Sequence, residues 1–253
     1  MSDEQVDQLR VRVYPDRKTM GEAAAADAAA AMIEAIRGRG AVRVAFAAAP
    51  SQNEFLAALA ANREIDWSKV TAFQLDEYVD LPPDAPQLFG TFLSGALFDR
   101  VRPGTLHLIG PTGSLEEGQA RAREYAALID AAPLDIVCLG IGENGHLAFN
   151  DPPVADFDDP QRVKVVELDT ACRRQQVNDG AFLAFDDVPT HAVTLTIPTL
   201  MSGRRVVCIV PGPAKRTAVR ETLHGPISTA CPASILRTHP DATLYLDPDS
   251  HGG

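Results

Sequence analysis

Gly140-Ile141-Gly142-Glu143-Asn144-Gly145-His146, with Asp151-Pro152 close behind, gathers glycine, amide, imidazole and carboxylate in one short segment. It follows an apolar run, Leu134 to Leu139, that reads as a buried strand, so these groups collect where open α/β sheets place their ligands. An imidazole titrates near neutrality, and Asp151 and Asn144 lie close enough in sequence to orient it. The chemistry on offer is proton transfer. Gly140-x-Gly142-x-x-Gly145 also spells a dinucleotide fingerprint, which requires a helix beginning inside the glycines. Pro152, Pro153 and Pro160 leave no room for that crossover helix.

Three other places carry chemistry. Asp76 and Glu77 sit together where an apolar strand ends, and paired acids there desolvate and repel each other, which lifts a carboxylate toward a value useful in a base. The same pair serves equally well as a solvated turn that caps a helix. Val210-Pro211-Gly212-Pro213-Ala214-Lys215 runs from strand through a rigid turn into a helix; free N–H groups and an ammonium there form either an anion site or an ordinary turn with an exposed lysine. Phe46-Ala47-Ala48-Ala49-Pro50-Ser51-Gln52 is a further strand–loop–helix junction, small enough for a phosphate to approach backbone or simply for tight packing.

The elements that must position these groups alternate along the chain. Strand-like runs occur at Val42 to Ala47, Val70 to Leu75, Leu106 to Ile109, Leu134 to Leu139, Ala192 to Thr196, Val206 to Val210 and Thr243 to Leu246. Helical patterns fill Lys18 to Arg37, Gln52 to Ala61, Glu116 to Ile129 and Lys215 to Leu223. This rhythm predicts an α/β fold: one doubly wound, mainly parallel sheet with helices on both faces, Rossmann-like, in a single domain over residues 1–253. Asp151 to Pro160 breaks the rhythm and reads as a loop beside the site, with the region to Gly180 as a partial cover.

Composition narrows the function. With 23 Lys and Arg against 34 Asp and Glu, the surface field repels nucleic acid and anionic membranes. The N-terminus is polar and acidic, and the alanine-rich stretch from Ala23 to Ala31 is broken by Asp27, so neither secretion nor membrane spanning is signalled and a cytoplasmic location is expected. Cys138, Cys172, Cys208 and Cys231 form no C-x-x-C pair and read as reduced structural thiols. His107, His146, His191, His224, His239 and His251 show neither H-x-H nor H-E-x-x-H spacing, so no metal is expected, and no G-x-S-x-G elbow marks a serine nucleophile.

Taken together, Leu75 to Val79, Gly140 to Pro152, Val188 to Ala192, and Ile227-Ser228 with Leu236 to Pro240 resemble the glucosamine-6-phosphate deaminase/isomerase family, which shares a superfamily with the 6-phosphogluconolactonases. The lactonase branch typically carries an arginine after the Asp-Glu pair and an Ala-Ser-Leu-Phe-Pro run after its histidine, where this chain has Tyr78 and Ala148 to Pro152; the deaminase branch is closer. The resemblance implies an aldose–ketose isomerisation with deamination, glucosamine 6-phosphate and water giving fructose 6-phosphate and ammonia, without metal or organic cofactor, within amino sugar and N-acetylglucosamine catabolism. It implies Asp76 as the base between C2 and C1, His146 as the ring-opening group, and Asn144 and Asp151 as its flanking partners. The substrate-contacting set it implies is Ala48, Ala49, Ser51, Glu77, Gly145, Arg173, Arg174, Gln176 and Lys215.

Several positions depart from the family pattern. Asp151 stands where glutamate is usual, Ala47 to Ala49 replace a Gly-Gly or Gly-Ser phosphate loop, and Gln176 aligns with a phosphate-binding arginine that Arg173 or Arg174 would have to replace. The rival functions are a 6-phosphogluconolactonase or another sugar-phosphate isomerase, and a non-catalytic sugar-phosphate sensor on the same fold. Oligomeric state is open, a homo-oligomer included.

Overall fold

The computed structural model describes residues 2–252. In chain order its strands are β1 (Ser2–Val6), β2 (Leu9–Val13), β3 (Val42–Phe46), β4 (Val70–Gln74), β5 (Asp76–Tyr78), β6 (Thr105–His107), β7 (Ile136–Leu139), β8 (Val163–Glu167), β9 (His191–Leu195), β10 (Arg205–Val210) and β11 (Ala242–Leu246). Its helices are α1 (Arg17–Arg39), α2 (Asn53–Ala61), α3 (Phe89–Leu93), α4 (Asp99–Val101), α5 (Leu115–Asp130), α6 (Thr170–Asn178), α7 (Ile197–Met201), α8 (Arg216–His224) and α9 (Pro248–His251).

The main sheet has the order β1-β2-β11-β10-β7-β3-β4-β6 and is parallel except for the β1–β2 hairpin at one edge. From β3 the chain moves outward to β4 and β6, then returns to β7 on the other side of β3 and moves outward again through β10 and β11. The connections after β3 and β7 therefore part in opposite directions, which leaves a crevice at their C-terminal ends.

Period-two alternation explains how both faces are covered. Val42, Val44 and Phe46 pack with α1 and α2, as do Ile136 and Cys138, whereas Ala45, Val137 and Leu139 face Tyr125 and Ile129 of α5 and Val219 and Leu223 of α8. Helix α1 forms because alanine loses almost no side-chain entropy in a helix. Its start is capped by the Asp16 side chain accepting from Thr19 N, and Gly40, in the left-handed region at φ 81°, ends it. Helix α2 is too short to persist alone, and Phe55, Leu56 and Leu59, each worth about 1.5–3 kcal/mol when buried, hold it to the sheet. A Cβ at Gly21 would lie 2.6 Å from Glu54 Cβ, so this glycine permits the close crossing of α1 and α2 and brings Arg17 beside the loop after β3.

A second, antiparallel sheet, β5-β9-β8, departs from the sequence expectation. The run at Ala192 to Thr196 pairs with β5 and β8 rather than extending the main sheet, because the chain turns off β4 at Leu75 and re-pairs at once. Strands β1, β5 and β8 and helix α6 carry no strong periodic signal and were not expected, nor was β2, although Leu9-Arg10-Val11-Arg12-Val13 alternates strictly; β8 and α6 lie in the covering region. Asp151 to Pro160 has no regular structure beyond turns, and no helix follows Gly145.

Candidate active site

A cavity of about 680 Å³ occupies the crevice. Loops after β3, β7 and β10 supply its floor through Ala47 to Gln52, Gly140 to Gly142 and Pro211 to Lys215, while Asp76 enters from β5 and His146 from beyond β7. Phe89 and Phe92, together with Gln175, Gln176 and Asp179 to Ala181, close it from the covering side.

Asp76 is 6% exposed and heads β5, opposite Thr194. Burial, reinforced by the charges of Glu77 and Asp151, pushes its carboxyl well above the usual carboxylate range. The next residue behaves differently. Glu77 turns away from the cavity, and its carboxylate accepts from Phe89 N (3.0 Å), Gly90 N (2.9 Å), Gln74 Nε2 (2.9 Å) and Tyr78 N (3.0 Å). Burial raises its pKa and these donors partly restore it. The structure thus places Glu77 as a brace between β4, β5 and the start of α3, outside the cavity lining.

His146 is held from behind. Its Nδ1 lies 2.8 Å from Asn144 Oδ1 and 2.9 Å from Asp151 Oδ1, and Asn144 Nδ2 donates to the same Asp151 oxygen at 2.9 Å. Two acceptors at Nδ1 assign the proton to that nitrogen, which leaves the Nε2 lone pair as the acceptor in the neutral ring. Burial works to raise the Asp151 pKa, but the His146 and Asn144 contacts prevail and hold it below the usual range. Asn144 and Asp151 therefore stand behind the imidazole rather than in the cavity. A Cβ at Gly142 would fall on the His146 ring, so the absence of a side chain there is what lets the ring occupy its position. Gly145, at φ 84°, turns the chain against Cys231 and also lies outside the cavity lining.

At the other end, Lys215 lines the cavity at 9% exposure with no hydrogen bond or ion pair among the described residues. Burial lowers its pKa, and Asp179 and Glu143 oppose that shift. Ala48, Ala49 and Ser51 line the same end, and the N–H groups of Ala48 and Ala49 donate to no acceptor among the described residues. Gln176 also reaches the cavity, with its Oε1 taken by the Tyr78 hydroxyl at 2.7 Å.

The two arginines proposed to compensate for Gln176 do not line the cavity. Arg173 donates to the carbonyls of Val188 and Phe185 and stacks 4.2 Å from the Phe185 ring centroid, and Arg174 leans toward the same ring. Helical spacing turns Arg174 away from Gln176, whereas Arg173, three residues from Gln176 and on a neighbouring face, is drawn off by its bonds to Val188 and Phe185. Arg17 does line the cavity, with Nη2 on the Pro50 carbonyl and Nε 2.7 Å from Glu54 Oε1. Some thirty residues separate it from the loop it joins, so no local sequence signal marks it; Asp179 and Phe89, which also line the cavity, belong to no motif either, while Gln52 lies in the Phe46–Gln52 junction already singled out.

Among the described residues one group could hold a metal ion: His146, Asp151 and Cys172, with donor atoms within 4.8 Å of one another. Burial, then the Asp151 charge, pushes the Cys172 thiol well above its ordinary pKa, so a neutral S–H beside the carboxylate is the favoured form and the set is poorly suited to a divalent cation.

Comparison with known proteins identifies the family. Residues 15–245 match the family model for glucosamine-6-phosphate isomerases/6-phosphogluconolactonase. The chain is 36% identical over 187 residues to a glucosamine-6-phosphate deaminase of Bacillus cytotoxicus, covering 74% of this chain and 69% of that protein. It is 36% identical over 190 residues to one of Halothermothrix orenii, covering 74% and 76%. A solved structure described as a monomeric glucosamine-6-phosphate deaminase superposes with TM-score 0.84 at 28% identity over 96% of this chain and 98% of that one. The 6-phosphogluconolactonase of Trypanosoma brucei shares the fold, with TM-score 0.77 at 17% identity over 99% of each chain. With the family match spanning six of the eight strands of the main sheet and every loop of the cavity, the chain belongs to the glucosamine-6-phosphate isomerase/6-phosphogluconolactonase family.

Proposed function

We propose that this protein, acting as a single domain, converts glucosamine 6-phosphate and water to fructose 6-phosphate and ammonia. The observation that carries the reading is the pairing in one cavity of a buried carboxyl whose pKa is raised, Asp76, with an imidazole whose outer nitrogen is freed as acceptor, His146. The identity to deaminases supports the same reading.

His146 Nε2 takes the anomeric hydroxyl proton and returns it to the ring oxygen, which opens the pyranose. Asp76 then takes the C2 proton while O1 gains one, giving an enolamine, and returns its proton to C1. Water adds to C2 of the resulting imine and ammonia leaves. Burial of Asp76 raises its basicity above that of an ordinary carboxylate, which increases the driving force for taking a carbon-bound proton. Asp151, kept ionised, stabilises the imidazolium that forms during ring opening. None of these steps calls for a metal or organic cofactor.

Among the described residues no helix is long and apolar enough to cross a membrane. The acidic composition supports a cytoplasmic role in amino sugar breakdown. The test is a coupled assay of ammonia and ketose formation over hexosamine and hexose phosphates and 6-phosphogluconolactone. Stoichiometric ammonia and fructose 6-phosphate from glucosamine 6-phosphate are expected. Lactone hydrolysis without ammonia release, or binding without turnover, overturns the reading.

A further inference from the structure

We propose that Arg17 is a specificity-determining residue of this site, supplying with Lys215 the positive charge that seats the phosphoryl group of the sugar phosphate. This rests on the reading of the substrate given above. Three observations carry it. Position 176 offers only a neutral amide, its oxygen already engaged by Tyr78. Arg173 and Arg174 are committed to the Val188 and Phe185 side of α6. Beside the nine-tenths buried Lys215, whose ammonium has no partner among the described residues, the cavity lining carries Arg17, which bonds Pro50 in the same loop as the free N–H groups of Ala48 and Ala49.

The guanidinium is aimed as well as present. Nη2 donates to the Pro50 carbonyl and Nε lies 2.7 Å from Glu54 Oε1 as an ion pair without hydrogen-bond geometry, which holds the group against the loop, while Nη1 has no partner among the described residues. A guanidinium with one edge anchored and one nitrogen open donates to a phosphoryl oxygen with little further loss of side-chain freedom. Arg17 reaches this place only because Gly21 lets α1 cross α2 so closely. The Ala47–Gln52 loop, a lysine and an arginine from a different helix thus form an anion seat whose second cation lies some 160 positions from the one that the family pattern uses.

Inorganic phosphate is the probe for binding, by titration calorimetry, with KM and kcat measured on glucosamine 6-phosphate and glucosamine. Arg17→Gln should weaken phosphate binding and raise KM for glucosamine 6-phosphate by about ten- to a hundredfold, with little effect on glucosamine. Arg17→Lys should recover part of the loss, and adding Gln176→Arg to Arg17→Gln should recover more. Glu54→Gln separates the proposal from a loop-bracing role: removing the competing carboxylate should tighten phosphate binding by about two- to fivefold, whereas a mere brace predicts weaker or unchanged binding. Unchanged phosphate binding in Arg17→Gln, or equal losses on both sugars, overturns the assignment while leaving the reaction intact if the wild type releases ammonia. Arg17-dependent phosphate binding in a protein that releases no ammonia from glucosamine 6-phosphate overturns the reaction and leaves the anion seat standing.

Discussion

Asp76 and Glu77 are adjacent, acidic and almost equally buried, yet they do opposite things. Strand geometry sends neighbouring side chains to opposite faces, so one carboxyl meets the cavity and the other meets four hydrogen-bond donors. Asp76→Asn keeps the shape and removes the base, and turnover should fall by about two to four orders of magnitude with KM little changed; near-normal kcat would remove Asp76 from the enolisation step. The raised pKa also sets a pH dependence. Because the base works only when ionised, the acid limb of kcat/KM should lie above the ordinary carboxylate range. His146→Gln should lose turnover chiefly on the closed ring. If C2 proton exchange on an open-chain analogue falls as far as turnover on the pyranose, ring opening is not the role of His146.

At the scale of elements, the glycine turn after β7 and the junction between β4 and β5 do the positioning. Gly142→Ala would force the His146 ring to move, because ring and Cβ compete for the same space, and a fixed turn cannot yield by much. A misplaced base costs about a hundredfold in rate, so Gly142→Ala should show that loss; activity within about twofold of the wild type would mean that the contact does not hold the ring. Glu77→Gln tests the other element. It places an amide nitrogen among N–H donors and should destabilise by about 1–3 kcal/mol, or roughly 2–4 °C per kcal/mol in a chain of this size. Its kcat should fall far less than that of Asp76→Asn, and the reverse ranking would return Glu77 to the chemistry.

For the whole molecule, the raised Asp76 pKa is a cost in stability. A carboxyl whose pKa is higher folded than unfolded binds more protons in the folded state, so stability declines as pH rises from about 4 through the folded value and then levels off. Asp76→Asn should therefore melt higher than the wild type near pH 8, and the difference should vanish near pH 4. An equal melting temperature at both would mean that the carboxyl is not desolvated. Asp151 works in the opposite sense: its lowered pKa contributes stability above the ordinary carboxylate value, lost as pH falls through the folded one.

Local apolar runs determined the seven strand runs and four of the helices, because nearly all of those elements bury a regular apolar stripe whose spacing is written locally; the edge strand β6, with Leu106 exposed, is the exception. Asp76, His146, Asn144, Asp151 and Lys215 were legible for a related reason: each sits at or just beyond the end of such a strand, where chemistry collects, and the family resemblance tied them together. Tertiary structure decided the rest. β5 and β8 were hidden because their pairing is antiparallel and lateral, made by a strand that leaves the main sheet after one residue, and nothing in Asp76-Glu77-Tyr78 announces its partner 116 residues on at His191–Leu195. Arg173 and Arg174 matched a need for charge by position, but contacts with Val188 and Phe185, made only in the folded chain, take up the one and draw the other toward the Phe185 ring. Arg17 carried no motif at all; its place in the cavity follows from the packing of α1 across α2 at Gly21, a contact between surfaces far apart in sequence that only the folded chain brings together.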